Sequence, residues 1–153
     1  MGIVQVREFF RGHGMEKRIL EFEESSATVE LAAQRLGCEP ARIAKSLSFK
    51  VEEKPVLVVT AGDARIDNAK YKAYFHTKAR MLTRDEVEAL VGHAVGGVCP
   101  FAVKEEVTVY LDESLKRFTT VFPAAGSSNS AIEMNLEELE KYAESAGWVD
   151  VCK

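Results

Sequence analysis

The sequence predicts an α+β fold in which helices cover part of a mixed β-sheet. Three observations lead to this prediction: a strand-like alternation after Ala44, a continuous apolar run at 56–59, and helix-capping signals that do not alternate strictly with the strands. Strict alternation would instead favour a doubly wound parallel sheet. With 153 residues, 46% of them hydrophobic, the chain can bury an ordinary core, so one domain over residues 1–153 is expected.

Capping residues and helix breakers place the helices. The Gly12-His13-Gly14 breaker should end the first helix, Gly37 the second, and the Thr83–Glu86 segment forms a capping box. In chain order, helices are predicted at 4–11, from Ser25 or Ser26 to Leu36, after a cap at Asp67, from 83 to about 92, and from a cap at Asn135 to Gly147. The predicted strands are 18–22, the segment near Lys45 to Val51, the central strand 55–60, and 107–111, 119–122 and 131–134.

Lys45 stands where a core residue is expected. The strand that contains it alternates between an apolar and a polar side, Leu47, Phe49 and Val51 against Ser46, Ser48 and Lys50. Burying an ammonium group costs several kcal/mol unless an anion or a wet cavity receives it, so one interpretation is a pocket that binds a negatively charged group. The other is that the strand begins at Ser46 or Leu47 and that Lys45 extends into solvent from its end.

Two loops have compositions suited to recognition by backbone groups. In Gly96-Gly97-Val98-Cys99-Pro100-Phe101, the glycines permit positive φ and close approach of a ligand, while Pro100 fixes the exit of the loop. The second, Ala124 to Ser130, is rich in small hydroxyl and amide side chains. Neither has the glycine spacing of a dinucleotide or P-loop motif, and both could be ordinary connections.

The charge distribution leaves a nucleic-acid contact open. The net charge is −4, which excludes a strongly basic, general nucleic-acid binder. Between 65 and 84, however, the sequence has one acidic residue and six basic ones, interleaved with aromatic residues. The basic residues are Arg65, Lys70, Lys72, Lys78, Arg80 and Arg84. This segment could contact phosphates, or it could be a solvated helix whose aromatic side chains face the core.

Metal and membrane functions are not indicated. The three cysteines are scattered without a C-x-x-C pair, and the three histidines lack a metal-binding spacing. The cysteines are therefore expected to be reduced thiols. No run approaches the roughly 18 apolar residues of a membrane span, so a cytoplasmic protein is expected.

Three motifs together resemble the YbaK family, also called the prolyl-tRNA-synthetase-associated editing domain. They are Ala44-Lys45-Ser46-Leu47, the G-x-x-x-P loop from Gly96 to Pro100, and the turn Gly126-Ser127-Ser128-Asn129, in this order and spacing. The resemblance covers nearly the whole chain. It implies an α+β editing domain that hydrolyses the ester of a mischarged aminoacyl-tRNA in trans, mostly on tRNA(Pro). No cofactor, membrane or DNA is implied, and prolyl-tRNA synthetase is a candidate partner.

The resemblance also implies roles for particular residues. Lys45 matches the lysine that contacts the phosphate and ribose of the terminal adenosine and orients the ester. The loop formed by Gly96, Gly97, Val98, Cys99 and Pro100 would offer backbone groups to the aminoacyl moiety, with Phe101 beside it. An aminoacyl ester is already activated, so positioning, water and a stabilised oxyanion suffice without a strong side-chain base.

This chain departs from the family members that remove cysteine from tRNA(Pro). Those members have an arginine-bearing, glycine-rich stretch where this chain has residues 126–132, and they lack a phenylalanine at the position of Phe101. If Ser127, Ser128 or Asn129 reaches the pocket, a small or polar amino acid such as serine, threonine or alanine is the expected substrate.

Two alternatives remain open at this point. Cys99 could be the nucleophile of a hydrolase, with His93 or His13 as its base. Alternatively, the protein could hold an aminoacyl-tRNA end or a synthetase without cleaving anything. Arg65, Lys70, Lys72, Lys78 and Arg80 are the candidate tRNA contacts under either tRNA-binding interpretation.

Overall fold

The computed structural model describes residues 2–24 and 28–153 and has the predicted α+β architecture. The five helices of this part of the chain are α1 (Ile3–Arg11), α2 (Val29–Leu36), α3 (Asn68–Phe75), α4 (Arg84–Glu86), which continues into a π-helical turn (Val87–Val91), and α5 (Leu136–Tyr142). The strands are β1 (Ile19–Glu21), β2 (Ile43–Val51), β3 (Lys54–Ala61), β4 (Thr108–Asp112), β5 (Thr120–Pro123), β6 (Ser130–Ile132), β7 (Met134–Asn135) and β8 (Gly147–Val149).

Six strands form one mixed sheet in the order β7-β5-β2-β3-β4-β8. The antiparallel β2–β3 hairpin lies at its centre, and β5 and β4 join the two sides of the hairpin in parallel. A smaller sheet pairs β1 with β6. The predicted central position of the apolar 55–60 segment is confirmed, because β3 has neighbours on both sides.

Local capping chemistry accounts for most helix boundaries. Asp67 accepts hydrogen bonds from the first amides of α3, and the predicted capping box of Thr83 with Glu86 forms. The predicted cap at Asn135 also forms, as a capping box with Glu138. Gly37 ends α2 in the left-handed conformation, which glycine adopts without a side-chain clash. These interactions satisfy amide and carbonyl groups that a helix leaves unpaired at its ends.

The core lies on both faces of the central hairpin. Residues 56–59 of β3 are almost fully buried, and Tyr71 of α3 packs against Phe49 with ring centroids 5.0 Å apart. Phe10 of α1 packs against Phe101, with ring centroids 4.9 Å apart. Phe101 of the first loop and Ala125 of the second belong to this core, so both loops singled out in the sequence are anchored to it.

Four sequence predictions need comment. Ser25 and Ser26 lie outside the described residues, and Thr28 is the observed cap of α2. The prediction that Gly147 ends the last helix was wrong, because α5 ends at Tyr142 and Gly147 begins β8. The predicted strand 131–134 is divided between β6 and β7, which belong to different sheets.

The half-buried character predicted for β2 was also wrong. Ser48, on the supposed polar side, is only 7% exposed, and the polar face of the strand is covered as well as the apolar one. In the described part of the chain, no helix has the length and apolar character needed to cross a membrane.

Candidate active site

A cavity of about 320 Å³ opens beside β2. Its walls come from α2, β2, the π-helical turn after α4, the loop at 95–98 and the segment 122–131. Of the described residues that line it, only Lys45 carries a charged side chain, and none is acidic. This volume is within the range of small-molecule sites, and the uncharged walls leave a single cation to set the local electrostatic potential.

The cavity lies where the sheet is interrupted. β3 pairs with β2 over its length, whereas β5 pairs only with the first two residues of β2. At the far end of β2, the amide of Lys50 donates to the carbonyl of Arg80 at 2.9 Å, and the amide of Leu82 donates to the carbonyl of Ser48 at 3.1 Å. Between the pairing with β5 and these contacts, the edge of the strand at Lys45 and Ser46 faces the cavity.

Lys45 lies inside the strand, not at its end. β2 begins two residues earlier, which removes the interpretation in which Lys45 extends from the strand terminus. Its Nζ donates to the carbonyl of Ala64 at 2.5 Å and lies 3.4 Å from the carbonyl of Gly62. Burial lowers the pKa of this ammonium group, and no carboxylate forms an ion pair with it in the described part of the chain. An anionic ligand would therefore supply a charge partner that the described residues do not.

The start of the 96–101 loop approaches the cavity through its backbone. Gly96 and Val98 line the cavity, and Gly96 has a φ of +97° that favours glycine. Gly97 is required for a different reason. A Cβ atom at Gly97 would lie 2.7 Å from the Cα of Ser127 and 2.9 Å from the carbonyl oxygen of Gly126. The two loops are thus in direct contact, as the sequence could not show.

The second half of this loop is structural. Cys99, Pro100 and Phe101 are buried, and none of them lines the cavity. The expectation that backbone groups of Cys99 and Pro100 meet the aminoacyl moiety, with Phe101 beside them, therefore receives no support from their positions. Their packing, with Phe101 against Phe10, fixes the loop whose first half reaches the cavity.

Cys99 and His93 come together, but without the geometry of a nucleophile and its base. The Sγ of Cys99 lies 3.6 Å from the Nε2 of His93, and that Nε2 lies 2.8 Å from the carbonyl oxygen of Phe101. A nitrogen that donates to a carbonyl carries a proton and cannot accept one from the thiol. Burial also raises the pKa of Cys99 to about 12 and lowers that of His93. His93 thus connects the segment before the loop to Cys99 and Phe101 in its second half.

The serine-rich turn contributes two of its four predicted residues to the cavity. Ser127 and Ser128 line it, whereas Asn129 does not. The side-chain amide of Asn129 donates to the carbonyl of Phe22 at 2.9 Å, and the hydroxyl of Ser127 lies 2.7 Å from that of Ser130. Asn129 thus anchors the turn to the segment after β1, which corrects the expectation that it reaches the pocket.

Gly126 closes the turn against the N-terminus and lines a second cavity. Its φ is +99°, and a Cβ atom there would come 2.6 Å from the carbonyl carbon of Gly2. Gly97 and His93 border the same cavity, which adjoins the first through Ser127. A side chain at Gly97 would push the two loops apart, and one at Gly126 would push the turn away from Gly2 and Ile3.

The basic segment is not one helix. α3 ends at Phe75, His76 adopts the left-handed conformation, and the chain continues in an extended form to Met81. All of its predicted contact residues are exposed: Arg65, Lys70, Lys72, Lys78 and Arg80. Lys70 is already paired, with Nζ 3.1 Å from Asp150.

Sequence reasoning missed one wall of the cavity. Val29, Ala32 and Leu36 of α2 cover it, and Met81 borders it while 56% exposed. The helix itself was predicted from its caps, but its position over the cavity depends on tertiary packing that caps do not reveal. Among the described residues, no group of three or more histidine, cysteine or acidic side chains could hold a metal ion.

Comparison with known proteins gives the family. The aminoacyl-tRNA editing domain family matches residues 23–142. The YwhH protein of Bacillus subtilis (strain 168) is 53% identical over 154 residues, which cover 100% of this chain and 98% of YwhH. A protein of Enterococcus faecalis named "Putative Cys-tRNA(Pro)/Cys-tRNA(Cys) deacylase EbsC" is 30% identical over 77% of this chain and 73% of its own. A proline–tRNA ligase of Geobacillus is 33% identical over 58% of this chain, a stretch that is 16% of the ligase.

A solved structure agrees with the sequence comparison. The structure described as "Crystal structure of a putative trans-editing enzyme for prolyl tRNA synthetase" superposes with a TM-score of 0.88 at 28% identity, covering 99% of this chain and 96% of that one. Fold and sequence therefore agree, and the resemblance drawn from Lys45 and the two loops is confirmed. The chain belongs to the aminoacyl-tRNA editing domain family.

Proposed function

We propose that this protein is a trans-acting hydrolase that removes a small, wrongly attached amino acid from tRNA, with tRNA(Pro) as the first candidate. The observation that carries the proposal is the cavity, in which one cation without a carboxylate partner stands beside an open strand edge and a glycine loop. The family supports aminoacyl-tRNA deacylation in general. The amino acid, the tRNA and the roles of individual residues are the proposed part.

Lys45 is the proposed positioning cation. A terminal adenosine brings a phosphate to the cavity. Among the described residues, backbone carbonyls alone hold the Lys45 ammonium group, so it can attract the phosphate at little cost in broken ion pairs. Holding the nucleotide fixes the ester relative to the walls, which is the main requirement of an already activated acyl group. The exposed cations Lys72, Lys78 and Arg80 are the proposed contacts for the rest of the tRNA.

The reaction needs only water and backbone groups. The oxygen of water forms a bond to the ester carbonyl carbon, the bond from that carbon to the ribose oxygen breaks, and a proton passes to the ribose oxygen. The products are the free amino acid and a tRNA with a free terminal hydroxyl. The neighbouring ribose hydroxyl can assist the water, and backbone groups of the 96–98 segment can orient it.

The walls favour a small acyl group. Alanine residues occupy several lining positions, and Ser127 and Ser128 add polar groups on one side. Serine, threonine and alanine esters are therefore the proposed substrates. A hydrophobic pocket separates side chains by only about 1–3 kcal/mol per methylene, so cleavage of neighbouring amino acids is expected at lower rates. Translating cells carry charged tRNA in the cytoplasm, which is the proposed location.

The test is deacylation of a panel of mischarged tRNA(Pro) species and of cognate charged tRNAs. Wild type should cleave esters of small amino acids, and Lys45→Ala should lose that activity while its circular dichroism stays unchanged. Lys17→Ala, which removes an exposed lysine elsewhere, is the matched control. Cleavage of Cys-tRNA(Pro) alone would refute the small polar substrate. Saturable tRNA binding with no ester loss above the uncatalysed rate would favour the non-catalytic alternative.

Cys99→Ala separates the proposal from a cysteine hydrolase. Because the thiol is fully buried and outside the cavity, the variant should deacylate at the wild-type rate. A loss of activity in a variant with unchanged thermal stability would revive Cys99 as a nucleophile.

A further inference from the structure

The free edge of β2 presents both backbone groups of Ser46 to the cavity. In a strand, the amide and carbonyl of alternate residues point to the same edge. The carbonyl of Ser48 and the amide of Lys50 point away from β3, toward the 80–82 segment. The amide and carbonyl of Ser46 therefore also point away from β3. At this position β2 no longer pairs with β5, whose pairing ends at Ala44.

The side chain of Ser46 does not compete for this position. Its hydroxyl is buried and has no hydrogen-bond partner among the described residues, although the residue as a whole is half-buried and lines the cavity. A ligand in the cavity therefore cannot contact the hydroxyl oxygen of Ser46. A donor and an acceptor from one residue, side by side on a strand edge, form half of a hydrogen-bonded antiparallel pair.

An aminoacyl ester carries the complementary half. Its carbonyl oxygen accepts and its α-amino group donates, and these two atoms are separated by the same three bonds (N–Cα, Cα–C and C=O) as in a residue of a strand. The described cavity walls contain no carboxylate, so an α-amino group there binds an uncharged acceptor, and the carbonyl of Ser46 lies on the open strand edge beside its own amide. Peptide segments bind open sheet edges by the same hydrogen bonds.

We propose that the aminoacyl group docks on Ser46 as a one-residue strand, its carbonyl accepting from the Ser46 amide and its α-amino group donating to the Ser46 carbonyl. This inference rests on the proposed function and specifies the ligand class as acyl groups that bear an α-amino group. The contact is independent of the side chain, so it recognises any amino acid that the walls admit. The amide also faces the oxygen that becomes negative when water attacks, which adds stabilisation in the transition state.

The test uses two ligands that cannot be hydrolysed, so that it is separate from catalysis. They are 3′-alanylamino-3′-deoxyadenosine and its 3′-propionylamino counterpart, which lacks only the α-amino group, and their affinities are measured by titration calorimetry. Wild type should bind the alanyl compound about tenfold or more tightly than the propionyl compound, as expected for one hydrogen bond to an ammonium group.

Two variants at position 46 test the amide. Ser46→Pro removes the amide hydrogen, and since this hydrogen points away from β3, the sheet should tolerate proline at this edge. It should bind the alanyl compound about tenfold more weakly than wild type. Ser46→Ala keeps the amide and removes the hydroxyl, so its affinity should stay within about twofold. If Ser46→Pro does not fold, the α-hydroxy acid analogue of serine at position 46 removes the same hydrogen with less constraint on φ.

Three results would overturn the docking mode. They are equal binding of both compounds by wild type, full affinity in a folded variant that lacks the amide hydrogen, and no binding of either compound. Selective binding of the alanyl compound by a protein that cleaves no ester would support the docking mode and refute the hydrolase, so the two failures are distinguishable.

Discussion

Lys45 and Lys50 lie five residues apart on β2, yet the fold gives them different surroundings. The side chain of Lys50 is 13% exposed and forms an ion pair with Glu86, which also closes the capping box with Thr83. Lys45 has two backbone carbonyls and no carboxylate partner in the described part of the chain. The first lysine of this pair borders the cavity, and the second one ties α4 to the sheet.

The difference shows which cation is available to a ligand. A paired charge must give up its partner before it binds an anion, so its net gain is small. A charge that is partly desolvated and held only by dipoles gains more from a phosphate, because the protein has paid the desolvation cost already. Lys50 is therefore expected to contribute to stability and Lys45 to binding and catalysis.

Exchanging each lysine for methionine gives the largest expected effect. Lys45→Met should lower the deacylation rate constant kcat/KM by about 100-fold or more, the usual loss when a group that stabilises charge is removed. Its free energy of unfolding should change by no more than about 1 kcal/mol, the net worth of a typical hydrogen bond. Lys50→Met should show the reverse pattern, with a lower melting temperature and activity within a few-fold of wild type.

Single-turnover deacylation and urea denaturation measure the two quantities for both variants. The comparison fails if Lys50→Met loses as much activity as Lys45→Met while it remains folded at the assay temperature.

The same contrast between paired and unpaired cations applies to the exposed segment after α3. Lys70 is held by Asp150 and by the carbonyl of Cys152. Lys72 and Lys78 form no ion pair among the described residues. Lys72→Glu with Lys78→Glu should weaken tRNA binding about tenfold at low salt and reduce the salt slope by about one for each lost phosphate contact. Filter binding at several salt concentrations measures both.

Lys70→Glu is the matched control for this pair of substitutions. It should weaken binding less, because the charge is already neutralised. Unchanged binding of the double variant at low salt would place the tRNA surface elsewhere on the protein.

The sequence predicted these features unevenly. Where a signal is local, as in the capping box at Thr83 and the cap at Asn135, the prediction is confirmed, because the interacting groups are three residues apart. β8 was missed, since it is three residues long and depends on parallel pairing with β4, far away in the sequence. Gly147 could equally have ended a helix, and only tertiary pairing decides.

The cavity was predictable in part for the same reason. The alternation around Lys45 located the cation, and the glycines of the 96–98 segment located the loop. The free edge at Ser46 depends on where β5 leaves β2, and the wall from α2 depends on packing. Asn129 was misplaced because a polar residue in a turn can anchor the turn as readily as line a pocket.

Acid titration of Glu86 tests the role assigned to Lys50, its ion-pair partner. The hydrogen bond from Lys50 lowers the pKa of Glu86 from 4.5 to about 2. A carboxyl group with a depressed folded-state pKa contributes stability above pH 4.5 that is lost as the pH falls from 4.5 toward 2. Glu86→Gln should therefore lose less stability than wild type over this interval. Thermal melts across the interval test this, and parallel curves would show that the pair contributes nothing.

Alkaline titration gives the smallest and most specific effect, with the opposite sign. Because burial lowers the pKa of Lys45 below 10.5, the folded protein releases this proton at a lower pH than the unfolded chain. The penalty for holding the charge is present below the folded-state pKa and disappears as the pH rises from there to 10.5, so this group raises stability over that window. Other groups also titrate there, so the observable is the difference between wild type and Lys45→Met. With reductant present, urea midpoints should show wild type gaining on the variant as the pH approaches 10.5. If the variant instead becomes more stable relative to wild type, Lys45 is paired with an anionic group in the cavity, and it does not differ from Lys50 in having no charge partner.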